Sequence, residues 1–133
     1  MPQAARKRAS LNPEPFVSSV AVMVSDRGRS VDWYTRGLGL EVIESDGHWV
    51  TVGRRGNGGT IHLCQFSDLP DLSLEPGDTG IDLRLPGDFE TVCRSLAERG
   101  VTFSRPPTHR PWGWYAKVVD PDGNELRLTP SNP

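Results

Sequence analysis

The stretch PWGWYAKVVDPDGNELRL, residues 111–128, carries the strongest structural signals in the chain. Its part GWYAKVVD (113–120) predicts one β-strand, and ELRLTP (125–130) predicts the next. The Asp-Pro-Asp-Gly sequence between them is typical of a tight turn, because proline fixes φ and glycine supplies a positive φ. Residues 113–130 are therefore predicted to form a β-hairpin that contains the last strand of the chain.

The residues upstream of this hairpin complete an order of elements that occurs twice: a strand, a helix and three further strands. In the first half, these elements are predicted at 16–24, 29–40, 40–45, 48–53 and 60–66. In the second half, they are predicted at 81–85, 88–100, 101–105, 113–120 and 125–130. A repeated order of this length predicts two copies of one structural unit.

Helix-end signals and sequence offsets support this repeat. Asp26 is a candidate start for the first helix, Asp88 a candidate N-cap for the second, and Gly100 its candidate C-cap. An offset of 61 residues superposes Gly39 on Gly100, and an offset of 65 superposes Ile61-His62-Leu63 on Leu126-Arg127-Leu128. Identity between the halves is low, so the repeat is inferred from order and pattern.

These elements define the domain organisation. A chain of 133 residues predicts a single domain, which we place at 16–133. Two βαβββ modules are predicted at 17–66 and 80–129, with a polar linker at 67–79. Residues 1–15 are rich in alanine, proline and charge, and are predicted to form a flexible arm.

Composition excludes several classes of function. The net charge of −2 argues against nucleic-acid binding, and the basic cluster Arg6, Lys7 and Arg8 is interpreted as a solubilising part of the arm. No apolar run reaches about 18 residues and no apolar segment follows the N-terminal basic residues, so neither a membrane partner nor a secretion signal is expected. Cys64 and Cys93 are expected to be reduced in a cytoplasmic protein.

The stretch TIHLC, residues 60–64, poses the main functional question. Strand alternation puts Thr60, His62 and Cys64 on one face, and Ile61 and Leu63 on the other. The apolar pair is predicted to lie in the core. The histidine between a hydroxyl and a thiol has three interpretations: it holds a metal, it binds a ligand, or it lies on a wet surface.

Two stretches together resemble the glyoxalase/bleomycin-resistance/dioxygenase superfamily, also called the vicinal oxygen chelate fold. VAVMVSDRGRSVDWYTRGLGLEV (20–42) resembles its first strand, helix and helix end, and residues 111–128 resemble its closing hairpin. The resemblance implies an α+β protein whose two half-barrel modules form a cupped mixed sheet around a central cavity. A second subunit often completes this cavity, so a homodimer is expected. The fold hosts isomerases, dioxygenases, thiol transferases, epimerases and metal-free drug-binding proteins, and so does not fix the activity.

In the metal-dependent members, the first and last strands of each module supply His or Glu ligands to a divalent ion. Carried over residue by residue, the resemblance places these positions at Ser19, His62, Gly80 and Arg127. Only His62 is a good ligand, whereas Arg127 is a fixed cation. At a separation of ~4 Å and an effective dielectric constant near 20, the repulsion between two unit positive charges is about 4 kcal/mol. The repulsion between Arg127 and a divalent ion would be twice as large. We therefore expect no resident cofactor.

An alternative metal site remains open, in which Fe, Mn, Ni or Zn binds around His62. Cys64 shares a face with His62, and Asp82 shares one with Gly80, so these residues form a displaced site if the strand register brings them together. This site would support a lyase, isomerase or dioxygenase, and no catalytic residue is assigned. The third possibility is a fold with no ligand of its own.

The favoured hypothesis is a metal-free protein that binds a small molecule, such as an antibiotic or another aromatic compound, in the cavity. Arginine presents a planar fork to carboxylate or phosphate, although Arg127 could instead pair internally with Asp82 or Glu125. Tryptophan stacks on flat ligands, although core packing is the alternative use. The candidate ligand-binding residues are Ser19, His62, Cys64, Asp82, Trp112, Trp114 and Arg127.

The two remaining histidines are weaker candidates. His48 follows Ser-Asp-Gly at the start of a strand and is interpreted as a turn or surface residue. His109 is predicted to lie in a proline-rich loop, either as part of a pocket lid or in solvent.

Overall fold

The structure is a computed structural model, which describes residues 14–15, 17–46, 49–56, 58–65, 67 and 75–131. Nearly all of the predicted arm, most of the predicted linker and His48 lie outside the described residues. The first module contains four strands: β1 (Ser19–Val24), β2 (Glu41–Ser45), β3 (Val50–Gly53) and β4 (Thr60–Gln65). The second contains β5 (Asp78–Leu85), β6 (Thr102–Arg110), β7 (Gly113–Val119) and β8 (Glu125–Pro130).

Each module has one helix between its first and second strands. Helix α1 (Arg27–Asp32) continues into a single π-helical turn (Trp33–Gly37), and helix α2 spans Phe89–Glu98. The Asp26 side chain accepts a hydrogen bond from the Arg29 amide, and the Asp88 side chain accepts one from Thr91. Both aspartates therefore cap their helices, as predicted. Within the described residues, no helix is long and apolar enough to cross a membrane.

The strands form two four-stranded mixed sheets with the same pattern of pairing. The first sheet has the order β1-β4-β3-β2, and the second has the order β5-β8-β7-β6. In each, the first strand of the module lies at one edge and runs parallel to the last strand, and the other neighbours are antiparallel. This architecture confirms the predicted α+β fold with two βαβββ modules.

The core lies on the helix-facing side of the sheets, where alternate strand residues are apolar. Ile61 and Leu63 are 5% and 0% exposed, which confirms their predicted place in the core. In α2, Phe89, Cys93 and Leu96 recur at helical spacing and are buried. Cys93 and Cys64 are both free thiols.

A buried polar cluster joins the two modules. The Tyr34 hydroxyl, at the end of the first helix, donates a 2.7 Å hydrogen bond to Oδ2 of Asp120. Asn124 donates through Nδ2 to the Met23 carbonyl oxygen on β1, at 2.8 Å. The DPDGN turn of the closing hairpin is therefore tied to both the first helix and the first strand.

One strand differs from its prediction. Residues 106–110 were expected in a proline-rich loop, whereas β6 extends through Pro106 and Pro107 to Arg110. The sheet order makes β6 an edge strand, and the two prolines lie where its pairing with β7 is irregular, between Arg105 and Thr108, so the sheet tolerates their missing amides. The predicted loop position of His109 is therefore wrong, because His109 lies in β6 and pairs in register with Trp114.

Candidate functional site

The second sheet brings together most of the predicted site residues. Asp82 on β5 lies in register with Arg127 on β8, and both occupy the face opposite to the buried Leu126 and Leu128. Upstream of Asp82, the pairing is irregular, and Gly80 adopts a φ of 73° there. A glycine tolerates this left-handed backbone, which allows the strand to enter the sheet through a bulge.

Among the residues that the structure describes, Arg127 has one loose ion-pair partner, Asp82. Its Nη2 lies 3.7 Å from Oδ2 of Asp82, while Oδ1 of Asp82 accepts a 2.9 Å hydrogen bond from the Thr129 hydroxyl. The side chain of Arg127 is 47% exposed. Exposed ion pairs at this distance contribute little to stability, so the guanidinium retains donors for another acceptor.

An open pocket of about 780 Å³ lies where β5, β8 and the β6–β7 hairpin tip meet the start of α2. Asp82, Trp112, Trp114 and Arg127 line it, so four of the predicted site residues share one pocket. His109 also lines it, from its position in β6. A volume of this size is within the range of small-molecule sites.

The aromatic residues of the hairpin are unusually exposed for their size. Trp112 is 63% exposed and Trp114 is 37% exposed. Trp112 contacts Tyr115 with ring centroids 5.1 Å apart, and Trp114 contacts His109 at 5.2 Å. Neither tryptophan lies in the core, so both rings are available to a flat ligand.

The other predicted residues lie on the first sheet. His62 pairs in register with Ala21 on β1 and Thr51 on β3, and its ring lies 5.4 Å from that of Trp49. Ser19 pairs with Thr60 instead of His62. His62 and Ser19 are not among the residues that line the pocket at Arg127. The two groups of predicted site residues are therefore on different sheets of the chain.

Cys64 shares the face of His62 but is 5% exposed. Burial raises the pKa of the Cys64 thiol, so the thiol form dominates at neutral pH. A buried thiol with a raised pKa is a poor nucleophile and a poor metal ligand.

The residues at the family's metal-ligand positions do not fit a divalent ion. Gly80 has no side chain, Arg127 is a cation, and Ser19 lies two residues from Ala21, the register partner of His62. Over the described ranges, no three His, Cys, Asp or Glu side chains come together as a possible metal site. These positions offer a divalent ion only one good ligand, His62.

The structure adds two cations to this face that the sequence interpretation missed. Lys117 pairs in register with Arg127, and Arg105 pairs with Lys117. The position of Lys117 follows from the hairpin, because a turn that pairs Val119 with Glu125 also pairs residue 117 with residue 127. The position of Arg105 depends on bulges in β6, for which the sequence carries no recognisable signal.

A comparison with protein-family models matches residues 17–128 to the Glyoxalase/Bleomycin resistance protein/Dioxygenase superfamily. The chain therefore belongs to this superfamily, and the resemblance identified from the sequence is confirmed. A comparison with curated proteins gives no significant match.

Several solved structures share the fold at appreciable identity. A member of the same superfamily from Sphaerobacter thermophilus is 33% identical, with a TM-score of 0.73 over 89% of this chain and 98% of that chain. TnmS3, an antibiotic-binding protein from Streptomyces sp. CB03234, is 31% identical, with a TM-score of 0.71 over 89% of this chain and 97% of that one. A glyoxalase/bleomycin resistance protein from the same Streptomyces is 29% identical, with a TM-score of 0.69 over 86% and 99%.

Proposed function

We propose that this protein binds a small aromatic molecule without a metal ion, in the pocket at the hairpin tip. The observation that carries the proposal is the pair of exposed tryptophans, Trp112 and Trp114, beside the loosely paired Arg127. Large aromatic side chains lose hydrophobic stabilisation when they are left in water, and a flat ligand restores it. The similarity to TnmS3, an antibiotic-binding protein, supports an antibiotic as one such ligand.

The metal-free part of the proposal rests on donor chemistry. A divalent ion at the family position would face the Arg127 guanidinium, which repels it and cannot lose its proton. His62 alone does not offset this repulsion. The ligand is therefore held by stacking and by hydrogen bonds from protein groups.

The proposal includes a homodimer. The described pocket is open, and its lining comes from the second module. The edge strand β1 exposes 40% of Val20, and Val17 just before it is 76% exposed. A second copy that covers this edge would bury that apolar surface.

A calorimetric titration of the full chain with polycyclic aromatic antibiotics tests the function. We expect at least one of them to bind with the same affinity in the presence of EDTA and in the presence of added Zn²⁺. Trp112→Ala should weaken that binding about tenfold, because stacking and burial of one ring contribute about 1–3 kcal/mol. Sedimentation in the same buffer should give the mass of two chains.

Val42→Ala is the matched control, since Val42 is also an exposed apolar residue, at 37%, but lies on β2 outside the pocket. It should leave the affinity unchanged. Binding that disappears with EDTA would contradict the metal-free proposal. Absence of binding across the whole panel would contradict the proposed function.

A further inference from the structure

Three cations form a row across neighbouring strands of the second sheet. The register pairs Arg105 on β6 with Lys117 on β7, and Lys117 with Arg127 on β8. Neighbouring strands lie about 4.8 Å apart, so these side chains occupy adjacent positions on one face. Like charges directly opposite each other in a sheet are destabilising unless another group neutralises them.

The acidic groups on this face compensate the row only in part. Lys117 lies 3.3 Å from Asp78, whose side chain is 63% exposed, and Arg127 lies 3.7 Å from Asp82, which Thr129 also holds. In the described part of the chain, the only recorded partner of the Arg105 guanidinium is the ring of Tyr115, 5.9 Å away.

Further charges surround the row. Arg84, on the same face of β5, makes no ion pair with a described residue. Glu125 lies in register with Asp78, so those two carboxylates share one end of the sheet. Asp88 and Glu90 line the pocket at the start of α2, where the Asp88 carboxylate accepts hydrogen bonds from Thr91. The middle of the sheet therefore keeps an excess of positive charge between the acidic end and the aromatic hairpin tip.

Tyr115 lies two residues before Lys117 on β7, and so on the same face. The Trp112 ring contacts Tyr115 from the hairpin tip. Two residues along a strand span about 7 Å, roughly the width of one fused ring system. Of these residues, Trp112 and Arg127 line the pocket, whereas Tyr115 and Lys117 lie beside it on the face of Arg127. A flat molecule that stacks on Trp112 and extends out of the pocket along this face would thus place its edge beside Lys117 and Arg127.

We infer that the ligand of this pocket is an aromatic compound with an anionic group, such as a carboxylate, attached to the ring. The ring stacks on Trp112 in the pocket, and the anion accepts hydrogen bonds from Arg127, which lines the pocket, and from Lys117, which lies beside it on the same face of the sheet. Charge-assisted hydrogen bonds of this kind are roughly twice as strong as neutral ones. The inference rests on the proposed function and specifies the class of its ligand.

The test uses two pairs of probes: 2-naphthoate with 2-naphthamide, and 1-pyrenecarboxylate with its amide. Each amide has nearly the shape of its acid but carries no charge. Calorimetry of the full chain should show that at least one acid binds about tenfold more tightly than its amide. Lys117→Gln and Arg127→Gln should each lower the affinity for the acid much more than the affinity for the amide, and so abolish most of this difference.

Arg94→Gln is the matched control. Arg94 is exposed on α2, outside this pocket, and its substitution removes the same charge. It should keep the tenfold preference, and circular dichroism should show that all three variants are folded. Equal affinity for an acid and its amide in the unmodified protein would overturn the inference but leave the proposed function standing. If no probe binds while a neutral aromatic antibiotic does, the inference also fails. If neither probes nor antibiotics bind, both the inference and the proposed function fail.

Discussion

Replacing Asp120 with alanine is expected to lower the free energy of unfolding by more than about 3 kcal/mol. Asp120 is 4% exposed, and its carboxylate accepts four hydrogen bonds. Oδ1 accepts from the backbone amides of Asp122 and Asn124, both at 2.9 Å. Oδ2 accepts from the Tyr34 hydroxyl at 2.7 Å and from Nδ2 of Asn124 at 2.9 Å. Alanine would leave several of these donors buried without an acceptor.

Urea unfolding of the purified protein measures this loss, and Asp120→Asn is the matched control. Its amide oxygen can still accept from the two backbone amides, while its NH₂ group faces the NH₂ group of Asn124. We therefore expect the asparagine variant to lose roughly half as much stability as the alanine variant. A loss below about 1 kcal/mol for Asp120→Ala would show that the cluster does not hold the modules together.

The stability of the protein at high pH tests the contribution of Tyr34 to the same cluster. Burial, followed by the nearby Asp120 carboxylate, raises the pKa of the Tyr34 hydroxyl well above its ordinary value. Above about pH 10, the unfolded chain loses this proton while the folded chain keeps it, so stability should fall as the pH rises. Tyr34→Phe should remove this part of the pH dependence, and an unchanged slope would contradict the assignment.

Leu63→Ala is expected to lower the free energy of unfolding by about 3–5 kcal/mol, because it leaves a cavity in a fully buried part of the core. Leu63 is 0% exposed. Its neighbour His62 faces the other side of β4 and is only partly buried, so His62→Ala should cost less than about 1 kcal/mol.

Thermal and urea unfolding of the two variants provide the comparison. Both substitutions remove a large side chain from the same strand, at adjacent positions. The difference between their losses of unfolding free energy therefore measures how much more the core face of β4 contributes to stability than the opposite face. Similar losses for both variants would contradict this prediction and would indicate that the contact of His62 with Trp49, whose ring lies 5.4 Å away, contributes as much to stability as the core.

The sequence predicts most of the fold because its local signals agree with the tertiary structure. Asp26 and Asp88 mark the helix starts, and the Asp-Pro-Asp-Gly turn sets the register of the closing hairpin. The alternation of Ile61 and Leu63 with His62 identifies the core face. Each of these signals involves only a few neighbouring residues, so it can be recognised in a single sequence.

The remaining features depend on pairing between distant segments. Pro106 and Pro107 look like a loop until the sheet order shows that they lie on an edge strand. The register of β1 against β4 places Ala21, not Ser19, opposite His62, and no local signal sets that register. The row from Arg105 to Arg127 likewise needs three strands aligned at once. A pattern analysis of a single sequence therefore cannot provide the register between distant strands that brings the residues of this site together.

The two prolines of β6 also affect how this sheet can meet other chains. An edge strand presents free amide donors that attract further strands, which is a route to aggregation. Pro106 and Pro107 have no backbone N–H, so this stretch of the edge strand offers fewer donors, and proline is a residue that natural sheets use to prevent such growth. Strand addition is thus less favourable at β6 than at the opposite edge, β5, which has no proline within the strand. The two edges of the second sheet are therefore unlike, and prolines restrict extension by main-chain hydrogen bonds at only one of them.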